Sequence, residues 1–213
     1  MNEVASQLNE FRLTLRRNSA DYQIQLAEKT IEQLCQYYKL LLLWNPRAHL
    51  VAPCSPHEFA TRHVLESLVL LPHLSSGARV VDVGSGAGLP IIPCLIARPD
   101  LSATLIESSQ KKAIFLREAL KEVGLSGAGT VVPRPFEETA TVNADYLTCR
   151  ALDRFLPKLP SLIGWSPEKA TLLLFGGESL RAYLQRAGLK YDEVLLPRSQ
   201  KRFLFIVTRD VKG

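Results

Sequence analysis

The chain has 213 residues, 46% of them hydrophobic, with a formal net charge of +5 at pH 7 and a pI near 9.1. That length supports one domain with a full core and an N-terminal extension, and no apolar run approaches the roughly 18 residues of a membrane span. The four cysteines (Cys35, Cys54, Cys94, Cys149) are scattered without a C-x-x-C pair, which argues against both a zinc site and a disulfide framework.

The first segment, "MNEVASQLNEFRLTLRR", carries acidic residues and no compact apolar stretch, so it does not read as a secretory signal; a soluble cytoplasmic protein is expected. From about residue 3 to 71 the pattern is helical. Leu26, Ile31, Leu34 and Tyr38 recur at intervals of three to five and share a face. A helix start stands at Ser55-Pro56-His57-Glu58, where serine caps, proline suits the first helical position and glutamate completes a capping box. That helix is predicted to run to about Leu71, before Pro72.

After Gly77 the texture changes to short apolar strands, predicted at residues 80–83, 103–107, 130–132, 146–148, 170–175, 192–196 and 202–208. A helical pattern of Ala113, Leu116, Leu120 and Val123 ends at Gly124. Alternation of strand and helix implies a parallel sheet covered on both faces. The last two strands are separated only by "PRSQK", too short for a crossover helix, and are expected to form an antiparallel hairpin. The expected architecture is α/β: a doubly wound, mostly parallel seven-stranded sheet. Residues 1–76 form a helical extension packed on a Rossmann-like core of residues 77–213.

The stretch "VVDVGSGAGLPIIP" (residues 80–93) places Gly84, Gly86 and Gly88 at the first strand–helix turn. Ligands of doubly wound sheets bind there, beyond the carboxyl ends of the strands. The helix is expected to begin at Pro90 and to offer unpaired N–H groups to an anion. A dinucleotide fingerprint, G-x-G-x-x-G, would need glycine at position 89, which is Leu89. Glu107 closes the second predicted strand, 21 residues after Gly86. A carboxylate at that point can accept hydrogen bonds from both hydroxyls of a ribose. S-adenosylmethionine offers that ribose, no pyrophosphate, and a carboxylate for the helix start.

The segments "WNPRAHLVAP", "RHVLESLVLLP", "VVDVGSGAGLPIIPCLIARPD", "LIESSQKKAIFLRE" and "TCRAL", in this order and spacing, resemble the RsmG (GidB) family, bacterial methyltransferases that form 7-methylguanosine in small-subunit (16S) ribosomal RNA. The resemblance covers residues 38–152 well and the rest loosely. It implies S-adenosylmethionine as cofactor, contacted by Gly84 and Leu89 in the turn and by Glu107 at the ribose. Phe136 and Glu137, in "RPFEE", match a segment that lines the adenine, and Arg150 matches the arginine of an S-R-A motif. Three positions depart from the family pattern. His49 and Val51 replace an asparagine and a threonine after Trp44-Asn45, and Phe175 stands where relatives carry the lysine of L-K-G.

Guanine N7 carries a lone pair and no proton, so methylation there needs no general base, and no essential acid or base is expected. Catalysis would come from holding the reacting atoms in line. Arg62, His63, Lys111, Lys112, Arg134 and Arg150 are the RNA-binding candidates, and the target guanine would be splayed from a loop. Three plainer readings stand beside these. His63 also suits packing or capping, Arg150 a surface salt bridge, and "RSQKR" (residues 198–202) a solvated turn. Cys94 reads as core, and Cys149 occupies the family's serine position; without a proline–cysteine strand motif neither reads as a nucleophile. No metal site is expected. The partner is ribosomal RNA or the small subunit, and the chain reads as a monomer. The alternatives are a non-catalytic RNA- or ribosome-binding protein of the same fold, and an NAD-dependent oxidoreductase, which Leu89 disfavours.

Overall fold

The structure, a computed structural model, describes residues 3–150 and 155–208. Seven strands form a single sheet in the order β3-β2-β1-β4-β5-β7-β6. These are β1 (Arg79–Val83), β2 (Ser102–Ile106), β3 (Gly129–Val132), β4 (Tyr146–Cys149), β5 (Thr171–Gly176), β6 (Lys190–Leu195) and β7 (Phe203–Thr208). All seven predicted strands are present, displaced by two residues at most. β1 to β5 pair in parallel, while β7 runs antiparallel to both β5 and β6. The central strands are buried on both faces, which their unbroken apolar runs require of parallel strands beneath helices. The edge strand β6, "KYDEVL", is largely exposed and charged, a composition that discourages further pairing.

Helices α5 (Ile91–Ala97), α6 (Gln110–Glu122), α7 (Phe155–Trp165) and α8 (Glu178–Arg186) cover the sheet. The N-terminal part supplies α1 (Glu3–Asn18) and α2 (Glu28–Ala48). A third rod follows, built from α3 (Pro56–Glu58), a π-helical stretch (Phe59–Leu65) and α4 (Glu66–Leu68). Phe11 stacks on Tyr38 at 4.4 Å and Tyr38 on Phe59 at 4.7 Å, so these helices close on one another through a ladder of rings. The same apolar cluster continues through Ile91, Leu105 and Leu120, giving the N-terminal helices and one face of the sheet a shared core.

Two helix expectations are corrected. The rod from Pro56 ends at Leu68, not at Leu71, where a separate 3-10 turn (Leu71–His73) takes in Pro72. Its middle is π-helical, and hydroxyls take backbone acceptors at either end of that stretch: Thr61 Oγ1 donates to the His57 carbonyl at 2.8 Å, and Ser67 Oγ donates to that of His63. At its start Ser55 Oγ accepts from the Glu58 N–H at 3.1 Å, as expected, whereas the Glu58 side chain pairs with Arg62. The second correction concerns α5, which begins at Ile91 and not at Pro90, following a cis Leu89–Pro90 bond.

No helix among the described residues is long and apolar enough to cross a membrane. One buried hydrogen bond couples the helical layer to the glycine turn. Tyr37, fully buried, donates its hydroxyl to the Ala87 carbonyl at 2.6 Å. Tyr37→Phe leaves that carbonyl unpartnered in the core, and a loss of about 1–3 kcal/mol in unfolding free energy is expected by urea titration.

Candidate functional site

A cavity of about 480 Å³ opens beyond the carboxyl ends of β1, β2 and β4. At this place the strand order reverses, where open α/β sheets bind ligands. Three segments wall it: the glycine turn, the β2 exit at Glu107–Ser109 with Lys112, and Leu50–Ala52 facing His63 and Arg150.

The turn is fastened to β2 by consecutive backbone donors. The N–H groups of Gly84 and Ser85 both donate to the Ile106 carbonyl, at 2.9 and 3.1 Å. The Gly86 N–H donates to Glu107 Oε2 at 2.8 Å, and the Ser109 N–H to Glu107 Oε1 at 2.8 Å. Gly84, Gly86 and Gly88 all have positive φ. At Gly88 a Cβ would lie 2.4 Å from Ile92 Cδ1 and 3.2 Å from Leu116 Cδ2, so glycine here also permits the close packing of α5 against α6. Glu107 is 7% exposed and keeps lone pairs toward the cavity, since a carboxylate accepts about four hydrogen bonds and two are spent here.

The start of α5 offers fewer free donors than expected. The Ile92 N–H is committed to the Gly88 carbonyl at 2.7 Å, and the next residue, Pro93, has no N–H. The cations lining the cavity are instead Lys112 and Arg150.

Arg150, with 15% of its side chain exposed, reaches from the end of β4 to the π-helical stretch. It donates to the carbonyls of Arg62 and His63 and to Ser67 Oγ, and pairs with Glu66 at 3.3 Å. Glu66, 1% exposed, also accepts from Arg202 of the final hairpin at 2.5 Å. Neither the cationic partners nor the near-complete burial of Glu66 was legible in the sequence. Arg150 is therefore not the surface salt bridge of the plainer reading. Phe175 lies under its guanidinium at 5.4 Å.

Asn45 is a second residue that the sequence reading passed over. Its Oδ1 accepts from the N–H groups of Leu50 and Val51 at 2.9 and 3.0 Å, and its Nδ2 donates to the Val51 carbonyl, shaping the wall at Leu50–Ala52. The only sequence signal was its place in the Trp44-Asn45 pair. His49 caps α2 in the left-handed region at φ 48°, a conformation favoured by asparagine and tolerated by histidine. The departure at position 49 thus preserves the turn, while Val51 faces the cavity.

The remaining candidates are dispersed. Phe136 is 2% exposed and packs edge-on against Trp165 at 5.7 Å. Its segment borders a recess of only about 30 Å³ that shares Gly84 and Ser108 with the main cavity and is flanked by Arg134. Glu137 pairs with Lys158 at 3.1 Å across that recess. Arg62 and Lys111 stand outside the main cavity. Cys94 donates to the Ser67 carbonyl at 3.3 Å, its thiol pushed up by burial, and Cys149 is fully buried in β4. No group of three or more potential metal ligands occurs among the described residues. The Ala-Leu after Arg150 in the family-like segment lies outside the described residues.

Burial, followed by the charges of Arg150 and Arg62, pushes His63 down to about 4. Asp82, fully buried at the end of β1, is pushed up to about 7 by burial, opposed by its bond from Thr148 Oγ1 at 2.7 Å.

Comparison with known proteins agrees with this geometry. Residues 30–178 match the GidB family, described as rRNA small subunit methyltransferase G. Ribosomal RNA small subunit methyltransferase G of Chromobacterium violaceum is 39% identical over 137 residues, 64% of this chain and 66% of that protein. The protein of the same name from Xanthomonas axonopodis pv. citri is 45% identical over 120 residues, 56% of each chain. The matched stretch thus spans between about half and two thirds of these relatives' length. Among solved structures, a SAM dependent methyltransferase from Aquifex aeolicus superposes with a TM-score of 0.58 at 14% identity, covering 81% of this chain and 98% of that one. An O-methyltransferase from Bacillus cereus in complex with SAH gives 0.57 at 15% identity, covering 82% and 90%. The fold is that of these methyltransferases.

The depressed pKa of His63 has a thermodynamic consequence. Between pH 6.5 and about 4 the unfolded chain protonates this ring and the folded chain does not, so its contribution to stability, present above pH 6.5, is lost on acidification. Asp82 runs the opposite way, because its raised pKa makes the folded state bind the extra proton between about 4 and 7. In a comparison of wild type with His63→Gln the Asp82 contribution is common to both and cancels. From pH 7 to 4.5 the wild type is expected to lose roughly 2 kcal/mol relative to the variant in urea titrations, and an unchanged gap would contradict the assignment. By the extent of the family match and the identity of its relatives, the chain belongs to the rRNA small subunit methyltransferase G (GidB) family.

Proposed function

We propose that this chain is an S-adenosylmethionine-dependent methyltransferase that forms 7-methylguanosine in small-subunit ribosomal RNA, acting as a monomer in the cytoplasm. The observation that carries the reading is Glu107. Its carboxylate is already held by the Gly86 and Ser109 N–H groups at the cavity wall and retains acceptor capacity for two ribose hydroxyls. Lys112 and Arg150 offer opposite charge to the cofactor carboxylate. The cofactor supplies a methyl group on a positively charged sulfur.

The recess beside Gly84 and Ser108 is the adenine side in this reading, with Phe136 and Glu137 on its rim. A space of about 30 Å³ is too small for a purine, so in this reading the rim that carries the exposed Glu137–Lys158 pair gives way to admit the base. That opening is cheap, since exposed ion pairs are worth about 0–1 kcal/mol.

The protonation states fit chemistry at a nitrogen that has no proton to lose. His63, pushed down to about 4, is neutral at pH 7 and cannot act as an acid there. The chain positions the guanine, and the accelerating effect is orientation of the reacting atoms in the cavity. Residues 1–76 supply the wall at Leu50–Ala52 and His63, and residues 77–213 the cofactor side, which assigns substrate recognition to the helical extension.

The test is transfer of labelled methyl from S-adenosylmethionine to small subunits and to naked ribosomal RNA from cells lacking this gene. The products are then identified as nucleosides by mass spectrometry. Label in 7-methylguanosine is the expected result. Cofactor binding without label in either substrate would overturn it in favour of a non-catalytic RNA-binding protein.

A further inference from the structure

A groove of about 650 Å³ runs along the seam of α2 and α6, bordered by Leu43, Trp44, Pro46, Arg47 and Lys111. Both of its walls are close in sequence to those of the cavity: Arg47 lies three residues before Leu50, and Lys111 directly precedes Lys112. Its floor is apolar and open. Leu43 is 62% exposed, and Ile114 of the same seam is 46% exposed. Trp44 is fixed between Glu118, which accepts from its Nε1 at 3.1 Å, and Phe115 at 6.0 Å.

The two cations of this face are held together and have no carboxylate partner among the described residues. Lys111 Nζ donates to the Arg47 carbonyl at 3.2 Å, which holds both cations on one rim, and neither faces a carboxylate within ion-pair distance among the described residues. On the face that the rod of α3, the π-helical stretch and α4 shares with the final hairpin, each arginine already has a carboxylate partner, Arg202 sharing its own with Arg150. Arg62 is paired with Glu58, Arg198 with Asp21 and Arg202 with Glu66. A polyanion gains most where cations have no competing partner, and a single strand also gains from apolar ground for its bases.

We propose that this groove docks the single-stranded RNA flanking the methylated nucleotide, with phosphates on Arg47 and Lys111 and an unstacked base on Leu43 and Trp44. The inference rests on the RNA methyltransferase reading and adds to it the path of the strand, over α2 and α6 and not over the hairpin tip at residues 198–202.

The test compares full-length wild type with Arg47→Ala/Lys111→Ala, Leu43→Ser and, on the opposite face, Arg198→Ala. Binding to unmodified, protein-free small-subunit ribosomal RNA is followed by filter retention across salt concentrations. Calorimetry with S-adenosylmethionine and thermal melting serve as controls for folding and cofactor binding. The double variant is expected to lose about tenfold in RNA affinity and to flatten the slope of log K against log salt by about 1.4, the value for two single-strand phosphates. Leu43→Ser is expected to weaken binding severalfold with the slope unchanged, and Arg198→Ala to stay within twofold of wild type; cofactor affinity is unchanged in all three. A double variant that binds RNA within twofold of wild type overturns the groove assignment while leaving the methyltransferase reading intact. A wild type that binds no protein-free RNA overturns the groove assignment, whereas the methyltransferase reading falls only if methyl transfer to assembled small subunits also fails. A wild-type dimer that Leu43→Ser dissociates would assign the groove to a second copy of the chain and likewise overturn it.

Discussion

The carboxylate of Glu107 is the interaction on which the site depends. It accepts from the Gly86 N–H and from the Ser109 N–H, both at 2.8 Å, and so joins the turn after β1 to the start of α6 after β2. Both donors are short, charge-assisted and at the edge of a buried region, the conditions under which a hydrogen bond is worth most. Without that bridge the turn, with three residues in the left-handed region, would be tied to β2 only through the Ile106 carbonyl, its other bonds running to Tyr37 and within the turn and its flanking elements. A ligand arriving at a carboxylate already held in place pays little ordering entropy for it.

The second organising contact is Arg150. It spans from β4 to the π-helical stretch, and through Glu66 it reaches Arg202 in the hairpin that closes the sheet. A buried carboxylate between two guanidiniums does not by itself argue for stability, since desolvation offsets much of the attraction. What it does is hold three elements of distant sequence in one arrangement around the cavity. The π-helical stretch has a visible role in this, because its carbonyls at Arg62 and His63 accept from Arg150.

Much of the architecture was legible because the central strands are apolar runs bounded by turn residues and the longer helices, α2 and α6, carry their own period. The site was legible in part. Glu107 and the three glycines could be found because their chemistry is local: a turn, a spacing and an acid at a strand end. Glu66 and Tyr37 could not, because their roles depend on partners 84 and 50 residues away, and a sequence with one Glu or Tyr in an apolar helix does not disclose them. The start of α5 failed for a different reason. Pro90 does favour a helix start, but α5 begins one residue later, the Gly88 carbonyl takes the Ile92 N–H, and Pro93 has none to offer. His63 read equally as an RNA contact or a packed residue; it packs on Phe59 at 5.4 Å, lines the cavity with Arg150 and is held neutral.

The central claim is that Glu107 is a preformed clamp for the two ribose hydroxyls, and calorimetric discrimination between S-adenosylmethionine and its 2′-deoxy analogue tests it most directly. Wild type is expected to bind the analogue about tenfold more weakly, the loss of one hydrogen bond to a charged acceptor, and Glu107→Gln to bind both with nearly equal, reduced affinity. Equal affinity of wild type for the two ligands, or discrimination that survives in Glu107→Gln, would contradict the claim.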